Sequence, residues 1–344
     1  VKRVRIDKAA SSTVNVSLAG EESTSGDLKP LRGTVCVVRA LEEKRVYDTI
    51  ELVTGRMAKV SRGDVIAGVL GERRALQGFA GVLPERMNIG EVLNILNIGG
   101  VIGKAVSYNL QYGQPLRVEL LGTVERGGKT LNIKDSALPT ADSLDGFPNI
   151  PLIVVSGTSM NSGKTEVAAK LTQELTWKGY RICAVKVSGI SALKDMLNMV
   201  DHGAVKALSF LDFGFPSTVY CEEVPGIAKG ALVELARCEP DVILIELGDG
   251  ILGDYGVSTF FRDPEIREKI TCNIVCALDP VGAWGIAGIM EEQGMAVHLI
   301  SGPVTDNAVG TDFLKGLRLI GLNALYQKRE LGEFVEKMVK QRKG

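Results

Sequence analysis

The sequence predicts an α/β chain: a mostly parallel sheet, doubly wound with helices on both faces, preceded by a small β-barrel or β-sandwich domain. Three observations carry this. Apolar runs at 152–155, 181–187, 241–247, 271–278 and 295–300 alternate with stretches of helical period, as in βαβ units. Upstream, the runs at 33–39, 46–53, 64–70, 78–83 and 116–124 are short, β-like and punctuated by Gly or Pro. Between the two regimes, residues 135–150 carry two prolines with Ser, Asp and Gly, the composition of a linker.

Taken in order, residues 1–30 start basic (Lys2, Arg3, Arg5) and continue rich in Ser, Thr and Glu, which predicts a flexible N-terminal arm. Residues 31–134 form the β-rich domain, with one helix expected at 89–96. This half holds no histidine and its carboxylates are dispersed, so it offers no catalytic constellation. Gly99, Gly100 and Gly103 mark either tight corners or close approach to a ligand. After the linker, 151–344 is the second domain, closed by an amphipathic helix at 326–342.

Composition bounds the function. Hydrophobic residues make up 45% of the 344, enough for buried cores and too many for a disordered chain. Forty basic residues stand against forty-one acidic ones, so nucleic acid and anionic membrane are not expected as partners. No apolar run is long enough to span a bilayer, and the N-terminus has no signal-peptide core; a cytoplasmic protein is expected. The six cysteines never form C-x-x-C and only two histidines exist, which favours structural thiols over metal ligands.

The functional information concentrates at 151–165. A buried strand runs into Gly157-Thr158-Ser159-Met160-Asn161-Ser162-Gly163-Lys164-Thr165, then into a helix whose apolar face is Val167, Ala168, Leu171 and Leu175. Unpaired N–H groups and the positive dipole end at a helix start bind phosphate oxygens. Lys164 would reach the β- and γ-phosphates, and the Thr165 hydroxyl would ligate Mg²⁺. The spacing is G-x5-G-K-T, one residue longer than the usual G-x4-G-K-[ST].

That loop resembles the phosphate loop of dethiobiotin synthetase and its relatives among the P-loop NTPases. These include cobyrinic acid diamide synthases, the molybdopterin-guanine dinucleotide adaptor and nickel-insertion GTPases. Three further segments agree in order: Ala184 to Gly189 with Lys186 and Ser188, Asp241 to Gly250 with Glu246, and Lys194-Asp195 followed by Asp201 to Ala204. The resemblance lies within 151–330. It implies an enzyme that uses Mg-ATP to phosphorylate a small carboxylate or carbamate, which an amine then captures. A nucleotide-dependent switch or adaptor in cofactor or metal-centre assembly is the alternative. It also implies a homo-oligomer.

Several polar residues follow from position. Glu246 ends four apolar residues, hence the carboxyl edge of a central strand, where it would hold Mg²⁺ or serve as a turn carboxylate. Asp249 is a second metal-side carboxylate or a turn former. Lys186 bridges a substrate carboxylate and the γ-phosphate, or snorkels from a strand end, and Ser188 shares that ambiguity. One of Asp195 and Asp201 points to the site, and Asp279 lies on a substrate-side loop. An Asn/Thr-Lys-x-Asp guanine signature is absent from the loops at 279 and 301, so ATP is expected.

Overall fold

The computed structural model describes residues 2–26 and 28–343. The chain divides into two compact units. One holds the residues up to Leu138 together with Ile190–Lys194 and Phe210–Val219; the other holds Pro139–Gly189, Asp195–Ser209 and the chain from Tyr220 onward.

In the first unit, Val35–Ala40 pairs antiparallel with both Val65–Leu70 and Arg117–Arg126. Val101–Tyr108 runs parallel to Val65–Leu70, and Val92–Ile95 pairs with both Val101–Tyr108 and Arg117–Arg126. These five strands close on themselves, so of the two β architectures the barrel is the one formed. Alternation supplies its two faces: Cys36, Val38, Ile66, Leu93, Ile102, Val118 and Leu120 share one core cluster. Val35, Val37, Val69 and Val124 join a second cluster with Ile133 and Leu211.

Two expectations fail here. The helix at 89–96 is a strand, Val92–Ile95, because Leu93 and Ile95 alternate inward and both neighbouring strands supply ladder partners. The arm at 1–30 is largely built in. Lys2–Arg5 pairs antiparallel with Glu21–Ser25, setting Arg5 opposite Glu21, and Arg126 pairs with the buried Glu22 at 2.8 Å. Ser11, Ser12 and Thr13 are buried too. Charges that look solvated in the sequence are matched across strands. Val1 and Asp27 of that arm lie outside the described residues.

The second unit is a six-stranded, all-parallel sheet: β1 (Leu152–Gly157), β2 (Ile182–Lys186), β3 (Lys206–Ser209), β4 (Val242–Glu246), β5 (Ile270–Cys276) and β6 (Leu299–Ser301), in the order β3-β2-β4-β1-β5-β6. Five of these are the apolar runs of the sequence. β3 was not anticipated, since an edge strand of Lys, Ala, Leu and Ser carries little apolar signal. Among the described residues eight helices accompany them: α1 (Lys164–Trp177), α2 (Lys194–Asp201), α3 (Val224–Ala236), α4 (Val257–Arg262), α5 (Pro264–Lys269), α6 (Pro280–Glu292), α7 (Ala308–Gly316) and α8 (Lys328–Lys343). Val167, Leu171 and Leu175 of α1 and Leu331, Val335 and Val339 of α8 pack with Ile153, Val155 and Ile274. The expected linker is pinned rather than free after Leu138. Lys229 of α3 donates to the Asp142 carbonyl at 2.9 Å, and Ser143 donates to Glu265 at 2.9 Å. No helix among the described residues is long and apolar enough to cross a membrane.

Candidate functional site

β1 delivers Gly157 to the carboxyl edge of the sheet, and the chain then loops through Thr158–Gly163 into α1. The loop is compact because glycines let backbone approach. A Cβ on Gly157 would collide with the Ser162 hydroxyl, one on Gly250 with the Thr158 carbonyl, and one on Gly302 with the Ser162 carbonyl. Gly163 caps α1 with φ +93° and Asn161 has φ +61°, so two left-handed residues bend the loop into the helix start.

Lys164 is buried, and its ammonium donates to the Ser159 carbonyl at 2.6 Å and the Ser162 hydroxyl at 3.3 Å. Burial lowers its pKa, as does Lys186 nearby, while Glu246 and Asp249 pull it back up. The cation therefore sits inside the loop, short of negative charge, which is what an incoming phosphate supplies.

The next residue starts a chain of polar contacts. Thr165 Oγ1 donates to Glu246 Oε1 at 2.8 Å, and Lys186 Nζ approaches the same oxygen at 3.4 Å. Lys186 also pairs with Asp195 at the start of α2. Burial works against the Lys186 charge, but Glu246 and Asp195 outweigh it and raise the pKa. Glu246 is 1% exposed and its Oε2 has no hydrogen-bond partner. A buried, unpartnered carboxylate oxygen beside a phosphate-loop hydroxyl fits Mg²⁺, a hard cation that takes oxygen ligands and shares them with phosphates. No cluster of three His, Cys, Asp or Glu that could hold a metal occurs among the described residues. Thr165 and Glu246 would hold Mg²⁺ in company with the nucleotide.

The structure thus brings together Lys164, Thr165, Lys186, Asp195 and Glu246. Ser159 and Ser162 join them through Lys164, whereas Ser188, Asp249, Asp279 and Asp201 make no hydrogen bond to these five. The Ser188 hydroxyl is buried and accepts from the Gly248 N–H at 2.9 Å, tying together the chain ends after β2 and β4. Asp249 turns the chain with φ +62°, and burial raises its pKa against the pull of Lys164. Asp279 is exposed and caps α6 through the Gly282 N–H at 2.7 Å. Of the two aspartates on α2, Asp195 faces Lys186 and Asp201 is exposed. Gly302 was missed by the sequence reading. Its signal was a glycine just after an apolar run that ends at the same sheet edge.

A phosphate loop between the first strand and first helix of a parallel sheet, with a lysine, a hydroxyl and a neighbouring strand-end carboxylate, gives the second unit the fold and loop arrangement of a P-loop domain. No protein-family model matches the chain, and no curated protein matches it either. Among solved structures it is similar to the signal recognition particle receptor FtsY of Elizabethkingia anophelis, with 13% identity over 57% of this chain and 69% of that one, TM-score 0.34. It is also similar to the signal recognition particle 54 kDa protein of Aeropyrum pernix K1 in complex with GDP, with 14% identity over 57% and 50% of the two chains, TM-score 0.38. The hydrogenase maturation factor HypB of Archaeoglobus fulgidus gives 14% identity over 56% and 91%, TM-score 0.39. Likeness this distant carries no function across.

Proposed function

We propose that this chain binds and hydrolyses a purine nucleoside triphosphate with Mg²⁺ and works as a nucleotide-dependent switch. The contact chain Thr165–Glu246–Lys186–Asp195 beside Lys164 carries this reading. It offers a phosphate cradle, a cation inside it, a metal-side hydroxyl and a carboxylate oxygen awaiting a cation. Catalysis in such a site is positioning and charge neutralisation, with Mg²⁺ supplying the divalent charge when bound. Phosphorylation of a small carboxylate would need Lys186 to meet the substrate, yet its ammonium is already held between Asp195 and Glu246. The switch is favoured further by the two segments Ile190–Lys194 and Phe210–Val219, which follow β2 and β3 in sequence but belong to the barrel unit. Movement at that sheet edge would be felt by both segments.

The test is calorimetric binding of ATP and of GTP with Mg²⁺ to wild type and Lys164→Ala. Binding by wild type, weakened at least about tenfold in the variant by loss of a charged hydrogen-bonding group, is expected. ATP is the expected base, on the missing guanine signature. Absence of binding to either nucleotide refutes the reading. Phosphate release that rises only on adding small carboxylates and amines would favour the synthetase instead.

A further inference from the structure

Glu51 of the barrel unit meets the segment that leads into α2. It ends the short strand Thr49–Glu51, which pairs antiparallel with Met57–Lys59. Its side chain is fully buried, and no cationic side chain pairs with it among the described residues. Instead, Oε2 accepts the Leu193 N–H and Oε1 accepts the Lys194 N–H, each at 2.7 Å. A buried carboxylate is tolerated only where donors or positive charge compensate it. Here two backbone donors at the start of α2 do so, together with the positive end of that helix. Two further contacts fix the same segment. The Asn97 amide donates to the Ser191 carbonyl at 2.6 Å, and a Cβ on Gly99 would collide with that carbonyl.

The next residue along α2 is Asp195, the partner of Lys186, which in turn approaches the Glu246 oxygen that Thr165 also bonds. One peptide unit therefore separates the Glu51 clamp from the polar chain of the nucleotide site. A single helix turn cannot shift its first residue without moving the second.

We propose that Glu51 is a positioning residue for the nucleotide site: by clamping the start of α2 it holds Asp195 against Lys186, and through the same link the barrel unit senses the state of that site. This rests on the chain being a Mg²⁺-dependent NTPase. Glu51 touches neither nucleotide nor metal; it acts through Asp195. Coupling of this kind is reciprocal, so a change at Glu246 and Lys186 is felt at Leu193 and Lys194.

The experiment compares wild type, Glu51→Gln, Asp195→Asn and the double variant. Two readouts are taken: nucleotide affinity without Mg²⁺, and Mg²⁺-dependent phosphate release with its half-saturating Mg²⁺ concentration. If wild type neither binds nor hydrolyses nucleotide, the reading beneath this proposal fails, and the proposal with it. Where wild type is active, Glu51→Gln is expected to keep the Mg²⁺-free affinity within twofold, because the phosphate loop is untouched. Its phosphate release is expected to drop at least tenfold, as in Asp195→Asn, with the double variant no worse than the poorer single. Residues acting through one link are non-additive in this way. Wild-type release in Glu51→Gln, or losses that multiply in the double variant, would overturn the proposal. Should Glu51→Gln not fold, hydrogen exchange on wild type decides. Altered protection of the Leu193 and Lys194 amides on adding Mg²⁺ and a non-hydrolysable triphosphate supports the link, and unaltered protection refutes it.

Discussion

Glu246 and Gly302 show how single atoms set the site. Glu246→Gln keeps the shape and an oxygen toward Thr165 but removes the charge that would meet Mg²⁺ and that holds Lys186. Loss of such a group costs about 10–100-fold in metal affinity or activity. The variant is therefore expected to bind nucleotide without Mg²⁺ as wild type does and to lose Mg²⁺-dependent phosphate release, which a release assay across a Mg²⁺ titration reads out. Gly302 has φ +86° and ψ −169°, a region open to glycine alone, and its Cα lies against the loop at Ser162 and Gly163. Gly302→Ala is expected to lower unfolding stability by about 1–3 kcal/mol and to weaken nucleotide binding, measurable by denaturant titration and calorimetry. At this scale the sequence was legible where chemistry is contiguous. Gly157 to Thr165 declare a phosphate loop because strand, loop, lysine, hydroxyl and helix follow one another. The partners of Lys186 were not legible, since Asp195 and Glu246 come to it from nine and sixty residues away and only the fold selects them.

Among the elements, α8 shows how a terminal helix is fastened. Its apolar face packs beside α1, and Glu336 receives Lys178 at 2.8 Å and Lys340 at 2.7 Å. Those hydrogen bonds, Lys178 first, hold the Glu336 carboxyl down from 4.5 to about 2. A carboxylate depressed in the folded state contributes stability that is fully present above its unfolded value and is lost as the pH falls through its folded one. The contribution of Glu336 thus disappears between pH 4.5 and about 2. Glu336→Gln is expected to be less stable than wild type at pH 7 and to show a shallower loss of stability across that acid window, followed by urea unfolding at each pH. The helix itself was legible from its period-3.6 pattern, as were five of the six parallel strands. Elements whose burial depends on neighbours were not. Val92–Ile95 reads as helix until two strands flank it, and Lys2–Arg5 reads as a solvated arm until Glu21 and Glu22 meet it.

For the whole molecule, the division into two units is discontinuous, which no composition shift announced. The barrel unit includes Ile190–Lys194 and Phe210–Val219, so a cut at the compositional linker does not isolate it. A fragment of residues 1–138 would lack Leu193 and Leu211, which pack with Val35, Val37, Val69, Val124 and Ile133, and would leave the Glu51 carboxylate without its two donors. Removing the partners of one buried charge alone destabilises by about 3–5 kcal/mol. The fragment is expected to melt without a cooperative transition by circular dichroism, whereas the full chain melts cooperatively.

The same discontinuity sets a schedule during synthesis. The last barrel strand ends at Arg126, but Leu211 leaves the ribosome some eighty residues later, roughly 4–16 s at ordinary elongation rates. Through that interval the valine-rich flank of the nascent barrel lacks Leu193 and Leu211. It is the surface a ribosome-associated chaperone would meet, and slowing translation between codons 139 and 219 would lengthen its exposure.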